Sequence, residues 1–361
     1  MLLQLRQRGV FGINNRKMKA AFLTGLGKLE IMDAPMPEPG PGEALVRIER
    51  VGICGSDLHY FESGRLGMRI IKPPFILGHE ACGIVERVGA DVQNINVGDR
   101  VSLEPGRACG KCGFCKKGLY NLCASVAFFG SPPTDGVFRE YVVHDAALCF
   151  RLPDNVTAIE GALVEPLAIG FYAALRAEAK IGVTAVVTGS GCIGLMSMLA
   201  LRAMGTSRIY ITDVEQKRLD KALSLGANAA INAREKDVVE EVMRLTDQAG
   251  CDLVVEASGA EITAVQAIRM TKKGAIIMLV GQSADGEIKL PITDAIMKEL
   301  TFLTIFRYRH AFPITIDAIA NGVVNVRDVA THVYSFGDIQ KAFEQSLNDK
   351  ANIVKSVITI S

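Results

Sequence analysis

From about residue 160 the chain alternates strictly between short apolar runs and helix-length amphipathic stretches, a pattern that few folds satisfy. The runs are VTAVVT (183–188), SRIYIT (207–212), CDLVVEA (251–257), AIIMLV (275–280) and LTFLTIF (300–306). Near-continuous apolar strands separated by helices require a parallel sheet with both faces covered, a doubly wound α/β unit.

Residues 19–152 have a different texture. ALVRIERVG (44–52), CGIVERVG (82–89) and FREYVVH (138–144) alternate apolar with polar residues between Gly/Pro punctuation such as MPEPGPGE (36–43), which predicts a β-rich unit, barrel-like in outline. After residue 307 come two helical patterns and a terminal strand, IVKSVITI. This tail is too small to fold alone and is expected to return to the first unit. A chain of 361 residues is longer than one hydrophobic core usually serves, so the reading is one continuous domain inserted into another.

Composition excludes several classes of function. With 49% hydrophobic residues, 22% charged residues and a formal net charge of +1, nothing points to nucleic acid or a polyanionic partner. The apolar runs are much shorter than the roughly 20 residues of a membrane helix, so no membrane partner is expected. The first nineteen residues are basic, carry no acid and lack a secretory h-region; they read either as a dangling or misassigned start ahead of Met18 or as an amphipathic targeting segment. Nine cysteines in a chain this long do not make a secreted disulfide scaffold. A reducing cytoplasm is expected, where clustered thiols indicate metal.

The strand VTAVVT runs into GSGCIG, which sets Gly189, Gly191 and Gly194 in the G-x-G-x-x-G spacing, with an apolar helix behind. The first glycine permits the tight turn, the second lets backbone N–H groups approach a pyrophosphate, and the third allows close helix packing. Asp213 ends the next strand, where a carboxylate accepts hydrogen bonds from ribose hydroxyls and repels a ribose phosphate. Arg218 is near enough to stack on adenine or pair with Asp213. The coenzyme expected is NAD rather than NADP.

Four of the nine cysteines fall in CGKCGFCKKGLYNLC. Cys109, Cys112, Cys115 and Cys123 make a closed thiolate set of the kind that holds a structural zinc and leaves no coordination position for substrate. A catalytic zinc needs mixed ligands and an open position. Candidates are Cys54 in GICGSDLHYF, His79 and Glu80 in LGHEACG, and Glu165 in LVEPLA. Singly, each also reads as a core thiol, a loop histidine or a salt-bridge partner.

Together these stretches resemble the zinc-containing medium-chain alcohol dehydrogenases. GHEACGIVERVGADV matches that family's G-H-E-x2-G-x5-G-x2-V signature, and the likeness runs from about residue 18 to the C-terminus through C-G-S-D, the four-cysteine lobe, GSGCIG and Asp213. The resemblance implies a GroES-like catalytic domain, residues 18–165 and 307–361 with a structural-zinc lobe at 105–125, and an inserted Rossmann-type domain at 166–306. Simple alcohol dehydrogenases carry a cysteine ligand where this chain has Glu165. The sorbitol and xylitol dehydrogenases carry the glutamate, and SDLHYF, FFGSPPTDGVFREYV, LPDNVTAIEGALVEPLAIG and FRYRHAFP also favour that polyol subgroup.

By that resemblance two zinc ions and NAD are implied. Cys54, His79 and Glu80 hold the catalytic zinc, with Glu165 bound directly or through water. Tyr60, Arg307 and Tyr308 face the polyol, and Ile193, Val280 and Gly281 join the glycine loop, Asp213 and Arg218 at the coenzyme. The implied reaction oxidises a secondary hydroxyl of a sugar alcohol, of the xylitol or D-sorbitol class, to a ketose. Glu165 is the nearer base, and Ser56 and His59 are a secondary proton route. Asp57 reads equally as a group orienting the His79 imidazole and as a turn-stabilising aspartate. A homodimer or homotetramer is implied. The alternatives are a threonine or secondary-alcohol dehydrogenase of the same family, and a coenzyme- and zinc-binding protein without turnover.

Overall fold

A computed structural model of the chain describes residues 16–283 and 286–361. The basic stretch at the N-terminus, up to residue 15, lies outside the described residues. Two sheets organise the rest. The first is six-stranded and parallel throughout, in the order Ala229–Asn232, Arg208–Asp213, Thr184–Thr188, Cys251–Glu256, Thr271–Leu279, Thr301–Thr304. The strand earliest in sequence, Thr184–Thr188, sits third, so strand order reverses beside it and opens a crevice at the carboxyl ends, as in a Rossmann-type sheet. The apolar reading LTFLTIF narrows to Thr301–Thr304, because the chain leaves the sheet there and reaches Arg307 with a left-handed backbone, φ 55°.

The second sheet has seven strands and is mostly antiparallel. Glu43–Gly52 is at its centre, flanked by Glu80–Val88 and Tyr141–Asp145 from the N-terminal half and by Ser356–Thr359 from the tail. The pairing of Val357 with Gly52 and Ile358 with Val51 places the last residues of the chain against a strand made early.

The helix Ala158–Arg176 joins the two sheets. Thr157 caps it through a reciprocal box: Glu160 N–H donates to Thr157 Oγ1 at 3.4 Å, and Glu160 Oε2 accepts from Thr157 N at 2.8 Å. Such a cap contributes about 1 kcal/mol. Leu163, Leu167 and Phe171 are fully buried, each contributing roughly 1.5–3 kcal/mol. Through them one apolar core runs from Cys82 and Leu152 to Ala185, Val187 and Leu253 of the parallel sheet. Among the described residues this is the one helix long and apolar enough to cross a membrane, and 72% of its apolar window is buried in the fold. Its apolarity serves the core, and it is longer than the apolar runs had suggested.

The helix packs on Cys192–Ala203 with almost no clearance. A Cβ at Gly170 would stand 2.4 Å from the Met196 carbonyl oxygen, and that backbone cannot move without separating the two helices. Gly170→Ala is therefore expected to destabilise the protein by about 2 kcal/mol, within the usual range for overpacking. Urea unfolding followed by circular dichroism measures it.

Candidate active site

Cys54, His79 and Glu80 come from two separate segments, and Asp57 connects them. Cys54 is the N-cap of the helix Gly55–Ser63, and its backbone N–H donates to Asp57 Oδ2 at 3.0 Å. The other carboxylate oxygen accepts from Gly78 N at 3.0 Å and lies 3.7 Å from His79 Nδ1. Asp57 is fully buried. It caps the helix and is also a neighbour of the imidazole, too distant for a hydrogen bond to it. Burial pushes its carboxyl above the ordinary range, with His79 opposing. Burial also disfavours charge on His79, but Asp57, Cys54 and Glu165 outweigh it and lift the imidazole to about 10. The acidic groups around His79 thus favour positive charge at this point.

The ligand atoms of Cys54, His79 and Glu80 all lie within 4.8 Å of one another. A thiol, an imidazole and a carboxylate at that spacing, on buried or half-buried residues, suit zinc with a position left over for substrate. Glu80 has a second partner that the sequence did not signal. Lys355 Nζ lies 2.6 Å from Glu80 Oε1 and 2.5 Å from Oε2, and donates to the Ile53 carbonyl at 2.9 Å. Both side chains are almost wholly buried, at 2% and 1% exposure. Gly52 makes room for the pair, since a Cβ there would meet Glu80 Oε2 at 2.0 Å.

Glu165 is buried on the long helix, immediately before Pro166. It accepts from the Tyr308 hydroxyl at 2.9 Å. Burial raises its carboxyl to about 7, partly opposed by His79. Arg307 stacks on Phe128, its guanidinium carbon 4.0 Å from the ring centroid. Burial first, then the nearby Arg69, lowers the Arg307 guanidinium to about 10, while Tyr308, Glu165 and Tyr60 act in the other direction. Tyr60, Glu165 and Tyr308 are thus close enough to Arg307 to act on its charge. Tyr60 Oη and Arg307 Nη1 are buried without a hydrogen-bond partner among the described residues.

The glycine loop fits a dinucleotide. Gly189 has φ 90°, and a Cβ at Gly194 would fall 1.8 Å from the Gly189 carbonyl oxygen. Gly191 caps the helix Cys192–Ala203, whose N-terminus faces the crevice end of the sheet and suits a pyrophosphate. Asp213 Oδ2 accepts from Ser190 N at 2.6 Å, and Oδ1 accepts from Val214 N and Glu215 N. Arg218 Nη1 is 3.7 Å from where a Gly191 Cβ would be, and Ile193 lies half-buried beside the loop. Val280 and Gly281 leave the strand Thr271–Leu279 and both donate to the Glu256 carbonyl. Cys192, in the coenzyme loop, is pushed up to about 12 by burial and also feels the charges of Lys355, Glu80, Cys54 and Glu165.

Cys109, Cys112, Cys115 and Cys123 converge in a separate lobe, their sulfurs all within 4.8 Å of one another. All nine cysteines are free thiols, and four sulfurs at this spacing fit a closed zinc site. Ser56 and His59 share the first helix with Cys54. His59 is exposed, and no hydrogen bond joins it to Ser56 among the described residues. Sequence reasoning missed Lys355, Glu104, Tyr120 and Asn121. Glu104 is buried, and burial raises its carboxyl to about 7. The signal available for it was an acid directly after the short strand that ends in VSL, in VSLEPG.

Comparison with known proteins places the chain closely. Residues 40–154 match the alcohol dehydrogenase GroES-like domain, and residues 192–321 match the zinc-binding dehydrogenase domain. L-Idonate 5-dehydrogenase of Vitis vinifera is 42% identical over 91% of each chain. Sorbitol dehydrogenase of Homo sapiens is 40% identical over 89% of this chain and 90% of its own. An Escherichia coli alcohol dehydrogenase solved with NADH superposes with a TM-score of 0.88 at 27% identity, covering 95% of this chain and 99% of that one.

Removing the ammonium would leave Glu80 a buried, uncompensated carboxylate. Lys355→Met is expected to cost about 3–5 kcal/mol in metal-free protein, the usual penalty for breaking a buried ion pair from one side. Urea unfolding after chelation is the measurement.

Proposed function

This chain belongs to the zinc-dependent medium-chain alcohol dehydrogenases, in their polyol dehydrogenase subgroup, and we propose that it oxidises a secondary hydroxyl of a sugar alcohol of the xylitol or D-sorbitol class to the ketose with NAD. The observation that carries this is the unpaired polar lining of the pocket. Tyr60 Oη and Arg307 Nη1 are buried with no partner among the described residues, and Arg307 directly precedes Tyr308, whose hydroxyl bonds Glu165. Buried donors without partners cost about 1–3 kcal/mol each, and a substrate carrying several hydroxyls satisfies them where a simple alcohol does not.

In this reading Cys54, His79 and Glu80 would hold the catalytic zinc, and Cys109, Cys112, Cys115 and Cys123 the structural one. The glycine loop, Asp213, Arg218, Ile193, Val280 and Gly281 would hold NAD. When bound, zinc supplies a Lewis acid and NAD a hydride acceptor. The chain's residues do the rest. Arg307 and Tyr60 bind the hydroxyls that do not react and so fix which carbon faces the coenzyme. Glu165 takes the proton released by the reacting hydroxyl, and the Tyr308 O–H bond holds its carboxylate in place while ionised. Ser56 and His59 stay a secondary route, reaching solvent through exposed His59. The division of labour proposed is residues 18–165 with 307–361 for metal and substrate, and 166–306 for the coenzyme, with the long helix spanning the junction.

A second reading, oxidation of a hydroxyl on a polyhydroxy acid, is favoured by Arg69. Its guanidinium lies 6.0 Å from the Phe306 ring on which Arg307 also rests, at 5.0 Å, and two cations there suit a carboxylate end. The apolar side chains Ile292, Ile296 and Met297 are exposed beside the edge strand Thr301–Thr304. An exposed apolar edge of this kind supports a homodimer or homotetramer, and a set of free thiols supports a cytoplasmic location.

Xylitol, D-sorbitol, L-idonate, threonine and 2-propanol assayed with NAD test the substrate class, and rates on threonine or 2-propanol alone would sink it. Glu165→Gln is expected to lower kcat about 10²–10⁴-fold, the usual contribution of a positioned base, with the zinc content unchanged. Arg307→Ala is expected to raise the polyol KM about tenfold, a loss of about 1.4 kcal/mol of substrate binding, and to leave the NAD KM alone. Steady-state kinetics with metal analysis on the same preparation reads both.

A further inference from the structure

The substrate pocket includes a segment that cannot hold its own shape. Arg307 and His310 both have left-handed backbone, φ 55° and 54°, a conformation that costs a non-glycine residue about 1 kcal/mol or more and persists only where the surroundings impose it. Those surroundings are the four-cysteine lobe. Asn121 Nδ2 donates to the Phe306 carbonyl at 2.9 Å, and Asn121 Oδ1 accepts from Arg309 Nη1 at 3.2 Å. The Tyr120 hydroxyl accepts from His310 N at 2.6 Å and donates to Glu104 Oε1 at 2.9 Å. The His310 ring makes a hydrogen bond to the Gly118 carbonyl at 3.0 Å and meets the Tyr120 ring edge-on at 4.9 Å. Tyr120 and Asn121 lie in the single helical turn that leads into Cys123.

We propose that Tyr120 and Asn121 are positioning residues for substrate, which the four-cysteine lobe holds against Phe306–His310 so that Arg307 and Tyr308 point at Glu165. The lobe then has a role beyond stabilising the chain. Zinc bound by the thiols would fix the turn at Tyr120–Leu122, the turn fixes the backbone on either side of Arg307 and Tyr308, and these meet the polyol. Glu104 is the anchor at the far end. Its buried carboxyl holds the Tyr120 hydroxyl so that the oxygen's lone pair faces the His310 amide. The inference rests on the assignment of Arg307 and Tyr308 to the substrate pocket.

The test uses zinc-loaded, full-length Tyr120→Phe and Asn121→Ala, with Lys117→Ala on the lobe's outer surface as control. Hydrogen exchange of the peptide covering 306–310 is expected to run about tenfold faster in Tyr120→Phe, the equivalent of one hydrogen bond, and to be unchanged in Lys117→Ala. D-Sorbitol KM is expected to rise about fivefold or more in both positioning variants, for loss of a contact worth about 1 kcal/mol, while NAD KM and the zinc content stay as in wild type. Unchanged exchange at 306–310, faster exchange without a rise in polyol KM, or loss of zinc from both variants overturns the proposal. Should the wild-type protein oxidise no polyol, the proposed activity fails, and the exchange comparison alone decides whether the lobe holds the segment.

Discussion

A buried ammonium ties the tail of this chain to its N-terminal half. Lys355, six residues from the C-terminus, is 2.6 Å from Glu80 Oε1 and donates to the Ile53 carbonyl, so a residue of the tail completes the surroundings of two segments from the N-terminal half. Isolated, either charge in that interior would be prohibitively costly. The tail must therefore return, and the strand Ser356–Thr359 paired to Glu43–Gly52 is how it does so. Gly52 is required by the same contact, because its neighbours Glu80 and Lys355 occupy the space of a side chain. The mixed-ligand cluster is thus a product of the whole second sheet, and a fragment ending before residue 355 would lack it.

The coenzyme crevice obeys a different logic, one of close backbone approach. Gly194 lies against Gly189, and Gly281 against Gly259, at distances no Cβ tolerates. Glu256 secures that side of the crevice: its carboxylate accepts from Ser258 N, Gly259 N and the Thr263 hydroxyl. These demands are local in sequence and specific in residue type, which is why the tight glycine loop could be read from the chain alone. The four cysteines were legible for the same reason, as were the alternation of strands and helices and the return of the tail.

What could not be read depends on contacts between distant residues. Glu80 and Lys355 are separated by 275 positions, Asn121 and Phe306 by 185, and Tyr120 and His310 by 190. A lysine in IVKSVITI looks like an ordinary surface residue of a strand, and nothing in FRYRHAFP announces that Arg307 and His310 adopt left-handed backbone. Asp57 was ambiguous because its carboxylate accepts from two backbone amides, Cys54 N and Gly78 N, while one of the same oxygens lies 3.7 Å from His79 Nδ1. Ser56 and His59 drew attention through family likeness, yet the structure gives them no shared hydrogen bond among the described residues, whereas Glu165 and Tyr308 are joined directly.

The groups proposed to react and those proposed to choose the substrate are held in physically different ways. Glu165 rides on a buried helix that touches the coenzyme-loop helix through Gly170 and Met196. Its distance from the crevice is therefore set by core packing, which tolerates little change. Arg307 and Tyr308 sit on a strained connection held by polar contacts from the four-cysteine lobe, where a hydrogen bond can be exchanged without opening a cavity. Substitution at Arg307 or its lobe contacts can then alter which hydroxyls are bound while the helix backbone carrying Glu165 and the coenzyme loop keep their geometry, provided that the Tyr308–Glu165 bond is kept. Relatives about 40% identical to this chain bear the names of different substrates, L-idonate and sorbitol. A site built in this way separates the part that must stay constant from the part that can vary.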